Sequence, residues 1–274
     1  MSDCKIIAIA NQKGGVGKTT TTLSLGVALS HLGKKVLLID ADPQGDLTTC
    51  LGYYNQDNLS NTLGNLMGNY IADKEIVAEN SILSHSEGID FIPSNLDLSA
   101  IEVSLVNAMS REFTLKNCIF PLKEKYDYIL VDCMPSLGMI TINVLACSDL
   151  VIIPVQGEYL AAKGMGHLTK TIEKIHKQIN PNLKIGGILL TLVDRRTNLS
   201  FDVKEQLINS YGSKIKIFKT EIPKAIASSK STSTGKSIFE FDKNSTVAKA
   251  YENLAKEVVE NERKKERDDI AYIR

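Results

Sequence analysis

The chain of 274 residues contains no tryptophan, and aromatic residues make up only 6% of it. It also has no net charge, because 32 Lys and Arg residues balance 32 Asp and Glu residues. A neutral protein has no overall positive field, so any binding to nucleic acid must come from a local cluster of basic residues. No stretch of 18 consecutive apolar residues is present, which argues against a membrane-spanning helix.

Cysteine is scarce and irregularly placed. The five cysteines are odd in number and never occur as C-x-x-C, which argues against a structural zinc site and against a disulfide framework. The first residues run directly into an apolar segment, without the basic start and the cleavage site of a secretory signal peptide. We therefore expect a cytoplasmic protein.

Short apolar runs alternate along the chain with longer amphipathic ones. The apolar runs are nearly continuous, which is typical of parallel strands that are buried on both faces of a sheet. The predicted strands are Lys5–Ala10, Lys35–Asp40, Gly88–Pro93, Asp127–Asp132, Leu150–Val155, Ile185–Val193 and Lys214–Thr220. The predicted helices are Lys18–Leu32, Leu96–Ala108, Phe113–Lys125, Ile140–Ala146, Tyr159–Gln178, Ser200–Tyr211 and Ser245–Lys265.

This alternation predicts an α/β fold, with a doubly wound and mostly parallel sheet that is flanked by helices on both faces. We expect residues 1–259 to form a single domain and residues 260–274 to form a charged helix end or tail. Ligands bind to such sheets beyond the carboxyl ends of the strands, so functional residues are expected in the loops that follow the strands.

The loop after the first predicted strand is rich in glycine and opens a helix. It runs Asn11-Gln12-Lys13-Gly14-Gly15-Val16-Gly17-Lys18-Thr19-Thr20. Glycines allow successive backbone N–H groups to converge on phosphate oxygens, and the N-terminus of the helix adds a favourable partial charge. In loops of this type the lysine, here Lys18, reaches the β- and γ-phosphates, and the hydroxyl of the next residue, here Thr19, binds Mg²⁺.

A second lysine distinguishes this loop from the general pattern G-x-x-x-x-G-K-[ST], which would need glycine where Gln12 stands. Lys13 precedes the paired glycines, and Lys-Gly-Gly-x-Gly-Lys-Thr-Thr resembles the deviant Walker A box of the ParA/MinD superfamily of ATPases. The resemblance implies that Lys13–Thr20 bind ATP. It also implies that Lys13 reaches across an ATP-sandwiched homodimer to the partner's nucleotide, like an arginine finger supplied in trans.

Two carboxylates, Asp40 and Asp42, lie at the end of the second predicted strand, in the stretch D-A-D-P-Q-G-D. This stretch resembles the switch region of the same superfamily, D-x-D-P-Q-G. The resemblance implies that Asp42 orients the attacking water, so that it acts in catalysis together with Lys13 and Lys18. It also implies that Asp40 supports the coordination of Mg²⁺. Relatives often have Asn where this chain has Asp46, so no function is assigned to that carboxylate.

The fourth predicted strand ends at Asp132, which is the Walker B arrangement: an apolar run followed by a carboxylate that holds a Mg²⁺-bound water. The superfamily usually continues D-C-P-P-S, whereas Met134 replaces the first proline here. We expect this replacement to have little effect on the chemistry. The predicted metal site therefore consists of Thr19, Asp40 and Asp132, with the carboxylates acting through water.

The resemblance extends from about Lys5 to Val259. The segment Val151–Tyr159 is similar to "VIIPVQCEY", which implies that Glu158 lies near the ribose and the dimer interface. A later segment, E-I-P-K-A, resembles the stretch that closes over adenine. The ATP-binding residues that these two segments add are Glu158, Pro223, Lys224 and Ala225.

Residues 195–239 contain nine basic residues and three acidic ones, an excess of six positive charges within a neutral chain. Such an excess can bind the phosphate backbone of DNA without reading the bases. The resemblance implies that the ATP-bound dimer binds double-stranded DNA nonspecifically. A partner that resembles ParB, bound to a centromere-like site, would then stimulate hydrolysis and release the protein.

Two arginines are the first candidates for contacts with DNA. The segment Leu190–Asn198 resembles "LLTMYDARTN", in which Arg196 aligns with a DNA-contacting arginine and Arg195 lies beside it. A second arginine of the family has no counterpart, because Ala227 occupies its place. Lys224 or Lys230 is expected to substitute for it.

The resemblance thus implies a weakly active partition ATPase, in the cytoplasm and associated with the nucleoid, that moves plasmid or chromosomal DNA. A MinD-like membrane ATPase would share the ATP site, but residues 260–274 alternate in charge and carry only three large apolar residues. An ATPase that positions a protein cluster stays open as an alternative. A reductase that resembles the nitrogenase iron protein is disfavoured, because no second cysteine stands in a cluster-binding position.

Overall fold

The computed structural model of the chain describes residues 4–157, 161–194, 198–225, 231 and 234–272. In these residues seven strands form a single sheet. They are β1 (Lys5–Ile9), β2 (Val36–Ala41), β3 (Leu83–His85), β4 (Ile89–Ile92), β5 (Tyr128–Cys133), β6 (Leu150–Gln156) and β7 (Lys184–Thr191). Their order across the sheet is β3-β4-β2-β5-β1-β6-β7, and all neighbouring pairs are parallel except β3 and β4.

Helices flank the sheet on both faces. They are α1 (Lys18–His31), α2 (Asp46–Cys50), α3 (Leu63–Ile71), α4 (Asp97–Leu105), α5 (Thr114–Ile119), α6 (Met139–Cys147), α7 (Ala161–Gln178), α8 (Asn198–Tyr211), α9 (Ile238–Asp242) and α10 (Thr246–Tyr272). Short 3-10 segments span Gln56–Asn58, Ala78–Ser81, Arg111–Phe113 and Phe120–Glu124.

Alternate side chains of the central strand β1 enter two separate apolar cores. Ile6 and Ala8 belong to the core that α3 to α8 cover, whereas Ile7 and Ile9 belong to the core beneath α1, α2, α9 and α10. All four side chains are at most 2% exposed. Since both faces are covered, the strands can be apolar along their whole length. The predicted α/β fold class, with a doubly wound sheet, is confirmed.

The predicted strand at Lys214–Thr220 is wrong as a continuous strand. The segment begins in a turn after α8 and meets β7 through one isolated parallel bridge, Ile188 with Ile217. The physical reason lies in β7, whose pairing with β6 shifts register near Gly187. A Cβ atom on Gly187 would lie only 2.7 Å from the Phe218 ring, so this ring packs directly against the glycine backbone.

Two predicted helices differ from the observed ones. The helix expected over Phe113–Lys125 is α-helical only to Ile119 and continues as a 3-10 segment, because Pro121 lacks the N–H that an α-helix needs. The C-terminal helix α10 extends to Tyr272, further than predicted. It passes residue 260 without a break, and the proposed division of the chain after residue 259 stays a prediction.

Candidate nucleotide-binding site

The glycine-rich loop connects β1 to α1 at the carboxyl edge of the sheet. Gly15 and Gly17 have φ angles of 71° and 83°, in the left-handed region that favours glycine. Gly17 occupies the N-cap position of α1 and supplies no side-chain hydrogen bond to the helix. The first N–H groups of α1 therefore lack a side-chain cap, and they can bind an anion.

Two side chains fix this loop to neighbouring strands. The Asn11 amide donates a hydrogen bond of 2.7 Å to the carbonyl oxygen of Pro154 in β6. The Thr191 hydroxyl at the end of β7 donates a hydrogen bond of 2.7 Å to the carbonyl oxygen of Val16. Asn11, Val16 and Thr191 are all buried. The loop is thus held in shape before any ligand binds.

The two lysines of the loop differ in environment. Lys18 is only 7% exposed, and its Nζ lies 3.4 Å from the carbonyl oxygen of Lys13, so its ammonium is held within the curve of the loop. Lys13 itself is exposed. One lysine is therefore enclosed by the loop, and the other lies at the surface.

Asp40 and Asp132 are paired in register on the adjacent strands β2 and β5, and each is at most 1% exposed. Burial raises the pKa of Asp40 to about 7, although hydrogen bonds from Thr48 and Asp42 oppose the shift. Burial and the nearby charge of Asp40 raise the pKa of Asp132 well above its usual range, while a Thr19 hydrogen bond lowers it. Two carboxylates thus lie close together in a place that is shielded from water.

Asp42 follows β2 and faces the open side of the site. Burial raises its pKa, and a hydrogen bond of 3.0 Å from the Gln44 amide to Oδ1 partly offsets this shift. The charge of Asp46 raises the pKa further, and that of Lys18 lowers it. A carboxylate in this position can accept a hydrogen bond from a water molecule in the cleft.

The loop and Asp42 line an open cleft of about 1910 Å³. The predicted site residues that line it are Gly14, Gly15, Gly17, Lys18, Thr19, Thr20, Asp42, Pro223, Lys224 and Ala225. Of the other predicted residues in the described part, Val16 is buried under the loop, Lys13 is exposed beside it, and Asp40 and Asp132 lie deeper in the sheet. Glu158, Arg195, Arg196 and Lys230 fall outside the described residues.

The cleft has a second wall that the motifs did not reveal. It consists of Leu192–Asp194, Lys219–Glu221 and one face of α10. The α10 residues are Thr246, Lys249, Ala250 and Asn253. Their spacing is that of one helical face, which the sequence contains, but nothing local indicates what that face contacts. Leu192 has a φ of 53°, a strained backbone of the kind that is concentrated at functional sites.

Several of the basic residues that were counted for DNA binding form ion pairs. The pairs are Lys204–Glu221 at 2.6 Å, Lys216–Glu257 at 3.2 Å and Lys236–Glu240 at 2.6 Å. Two of the acidic partners, Glu240 and Glu257, lie beyond the range that was counted, so the local positive excess is smaller than the sequence suggests.

Comparisons with known proteins agree with the predicted family. A family model described as "AAA domain" matches residues 4–185. The sporulation initiation inhibitor protein Soj of Bacillus subtilis is 43% identical over 94% of this chain and 99% of its own. The chromosome partitioning protein ParA of Caulobacter vibrioides is 38% identical over 94% of this chain and 95% of its own.

A solved structure extends the agreement to three dimensions. Cobyrinic acid a,c-diamide synthase from Mycobacterium smegmatis, with bound ADP and magnesium, superposes with a TM-score of 0.82. It is 34% identical, and the match covers 93% of this chain and 94% of that one. The fold and the two-lysine loop define a P-loop ATPase of the ParA/MinD class. Within that class, the chain belongs to the family of the Soj and ParA proteins.

In the part of the chain that the structure describes, no helix combines the length and the apolar character needed to cross a membrane.

Proposed function

We propose that this protein is an ATPase that partitions DNA through an ATP-dependent switch. Two copies dimerise around two ATP molecules with Mg²⁺, and the dimer binds double-stranded DNA without regard to sequence. Hydrolysis, slow in the isolated protein and stimulated by a ParB-like partner at a centromere-like site, separates the dimer and releases it. The protein then acts in the cytoplasm, associated with the nucleoid.

The observation that carries this proposal is the different placement of the two lysines. One loop needs one lysine for its own phosphates, and the buried Lys18 supplies it. Lys13 is exposed, and in a dimer its charge would neutralise the phosphates of the second copy in trans.

The residues around the loop fit Mg²⁺. Thr19 in the first turn of α1 and Asp132 near the end of β5 offer hard oxygen ligands, and a hydrogen bond joins the two side chains. Thr19 and Asp132 would hold the ion, directly or through water. When bound, Mg²⁺ neutralises charge on the phosphate oxygens.

Each remaining group of the cleft has a specific task in this scheme. Lys18 and the first N–H groups of α1 bind the phosphates, and Asp42 orients the attacking water by accepting its hydrogen bond. Pro223–Ala225 and the cleft face of α10 line the same cleft, and we assign them to the nucleotide base. Glu158 is proposed to lie near the ribose, as the family resemblance implies.

The proposed partners and cargo rest on the relatives. ParA of Caulobacter vibrioides is named a chromosome partitioning protein, and Soj is similar over almost its full length. Arg196, Arg195, Lys224 and Lys230 are the proposed DNA contacts, since they belong to the basic segment.

The experiment that tests the proposal is binding to duplex DNA of arbitrary sequence, with ATP and with ADP, over a series of salt concentrations. We expect binding with ATP only, weakening steeply as salt rises. Binding in neither state would overturn the DNA switch. Vesicle binding would then separate a MinD-like membrane ATPase from one that positions a protein cluster.

A further inference from the structure

We propose that Asp40 is a positioning residue for the loop that carries Asp42, and that it is not a ligand of the Mg²⁺ coordination sphere. The inference rests on the proposed ATPase function and refines the assignment of one of its carboxylates. It follows from what the Asp40 carboxylate already contacts within the chain.

Both oxygens of Asp40 accept hydrogen bonds from protein donors. Oδ2 accepts from the Thr48 backbone amide at 2.9 Å and from the Thr48 hydroxyl at 2.7 Å. Oδ1 accepts from the Asp42 backbone amide at 3.2 Å. Three of the roughly four acceptor positions of a carboxylate are therefore occupied. Asp40 shares its burial and its position outside the cleft lining with Asp132, so these occupied acceptor positions are what carry the assignment.

These bonds hold both ends of the segment between β2 and α2. Asp42 lies at its start and Thr48 lies in the first turns of α2, so a single carboxylate fixes the entry and the exit of the switch loop. On the outer side, the Gln56 amide donates a hydrogen bond of 2.8 Å to the carbonyl oxygen of Gly45. The loop is thus restrained from two directions, and Asp42 has a defined position before ligand binds.

The network continues to a second strand, β4. The Thr48 hydroxyl accepts a hydrogen bond of 3.0 Å from the Ser94 backbone amide, which follows β4. Asp40, Thr48 and Ser94 are each 0% exposed, so water cannot replace a lost bond. Removing the Thr48 hydroxyl would leave the Ser94 amide unpaired and would remove one of the two donors to Oδ2. The network therefore links the ends of β2, α2 and β4.

The test compares Asp40→Asn with Thr48→Val, because Thr48 belongs to the network and is not a candidate metal ligand. We expect each variant to lower kcat by about tenfold, the effect of losing a buried hydrogen bond to a charged group. The Mg²⁺ concentration for half-maximal activity should stay within about twofold of wild type in both variants. Thr48→Ser, which retains the hydroxyl, should restore kcat.

Ser94→Ala is the matched control. The Ser94 hydroxyl is buried and has no hydrogen-bond partner in the described residues, so its removal should leave kcat unchanged while the backbone amide keeps its bond. A result in which Asp40→Asn raises the Mg²⁺ requirement by about tenfold, and Thr48→Val leaves kcat unchanged, would overturn the positioning role.

Amide hydrogen exchange in the nucleotide-free protein provides a readout that does not depend on hydrolysis. Asp40→Asn and Thr48→Val should speed exchange at the Asp42 and Thr48 amides by about tenfold, and Ser94→Ala should not. Unchanged exchange in both variants contradicts the proposal. If wild-type protein does not hydrolyse ATP, the proposed function fails, whereas the exchange result still tests the network. Thr48→Val carries the test if Asp40→Asn does not fold.

Discussion

Lys13 and Lys18 stand five residues apart, yet one is exposed and the other is buried in the curve of the loop. We expect Lys18→Ala to abolish ATP binding, because the buried ammonium faces the phosphates. Lys13→Ala should still bind ATP but should no longer dimerise. Its partner-stimulated rate of ATP hydrolysis should therefore fall by about a thousandfold. Nucleotide binding, analytical ultracentrifugation and stimulated turnover separate the two effects. Normal stimulated turnover in Lys13→Ala would contradict the trans function.

Asp42 and Asp46 both line the cleft, but only Asp42 is expected to orient water. Asp42→Ala should therefore bind ATP, dimerise and remain on DNA, since hydrolysis no longer releases it. Asp46→Asn is the control, and it should hydrolyse ATP at a rate close to wild type. Residence on DNA and phosphate release are the measurements. Wild-type hydrolysis in Asp42→Ala would mean that another group positions the water.

For single residues, the sequence predicts those site features that a short motif identifies. The two-lysine loop, Asp42 and Asp132 are identifiable because each motif lies within a few residues of chain. The contacts of Asp40 are not identifiable in this way, since its partner Thr48 is eight positions away, and the Thr48 hydroxyl in turn accepts from the amide of Ser94, which follows β4. A motif indicates that a carboxylate is present, but the folded chain decides what that carboxylate contacts.

Among the helices, α1 and α10 pack in the same apolar core, and a buried polar contact joins them. The hydroxyls of Thr21 and Tyr251 lie 3.2 Å apart, and both residues are at most 1% exposed. We expect Tyr251→Phe to lower the free energy of unfolding by about 1 kcal/mol, because it leaves the Thr21 hydroxyl without this partner. Urea denaturation measures the change. Tyr54→Phe, at a position that is 58% exposed, should have almost no effect.

Glu257 of α10 holds the extended segment beside β7. It accepts hydrogen bonds from the backbone amides of Lys219 at 3.0 Å and Thr220 at 3.1 Å, and it pairs with Lys216. Burial raises the pKa of Glu257, but these hydrogen bonds and the Lys216 charge together lower it by more. The pKa of Glu257 therefore lies below its usual range.

A depressed pKa means that the Glu257 carboxylate stabilises the folded state above the pKa of the unfolded chain, about 4.3. That contribution is lost as the pH falls through the lower pKa of the folded state. Glu257→Gln should thus be less stable than wild type at pH 7, and the gap should close in acid. Thermal unfolding from about pH 2 to about pH 7, a range that spans the ordinary pKa of glutamate, measures the stability difference between the two proteins. Glu260→Gln, exposed on the same helix, should match wild type throughout.

The elements that the sequence analysis did not predict are short or have weak local signals. Strand β3 has three residues, and α2 and α9 have five each, too few for a periodic pattern. Helix α3 has a capping box, in which Thr62 and Asn65 exchange hydrogen bonds. That signal is weaker than the usual form with Glu or Gln, because Asn stands in its place.

For the whole molecule, the alternation of strands and helices was sufficient to predict the fold class, but the fold does not select the function. Soj, ParA and a protein named cobyrinic acid a,c-diamide synthase all match more than nine-tenths of this chain. The surfaces that would distinguish their functions are assembled from distant parts of the sequence. Helix α10 forms a wall of the cleft although it lies more than 200 residues after the phosphate loop.

The ion pairs on the basic segment predict which lysines contribute to DNA binding. Lys236 is paired with Glu240, whereas Lys224 is exposed at the mouth of the cleft. With saturating ATP, Lys224→Ala should make the negative slope of log K for DNA binding against log salt shallower by about one. Lys236→Ala should leave that slope unchanged. Because Lys224 also lines the nucleotide site, its ATP affinity must be measured in parallel. If Lys224→Ala binds ATP more weakly but keeps the wild-type slope, Lys224 contacts the nucleotide and not DNA. If Lys224→Ala and Lys236→Ala have equal slopes, ion pairing does not identify the DNA contacts.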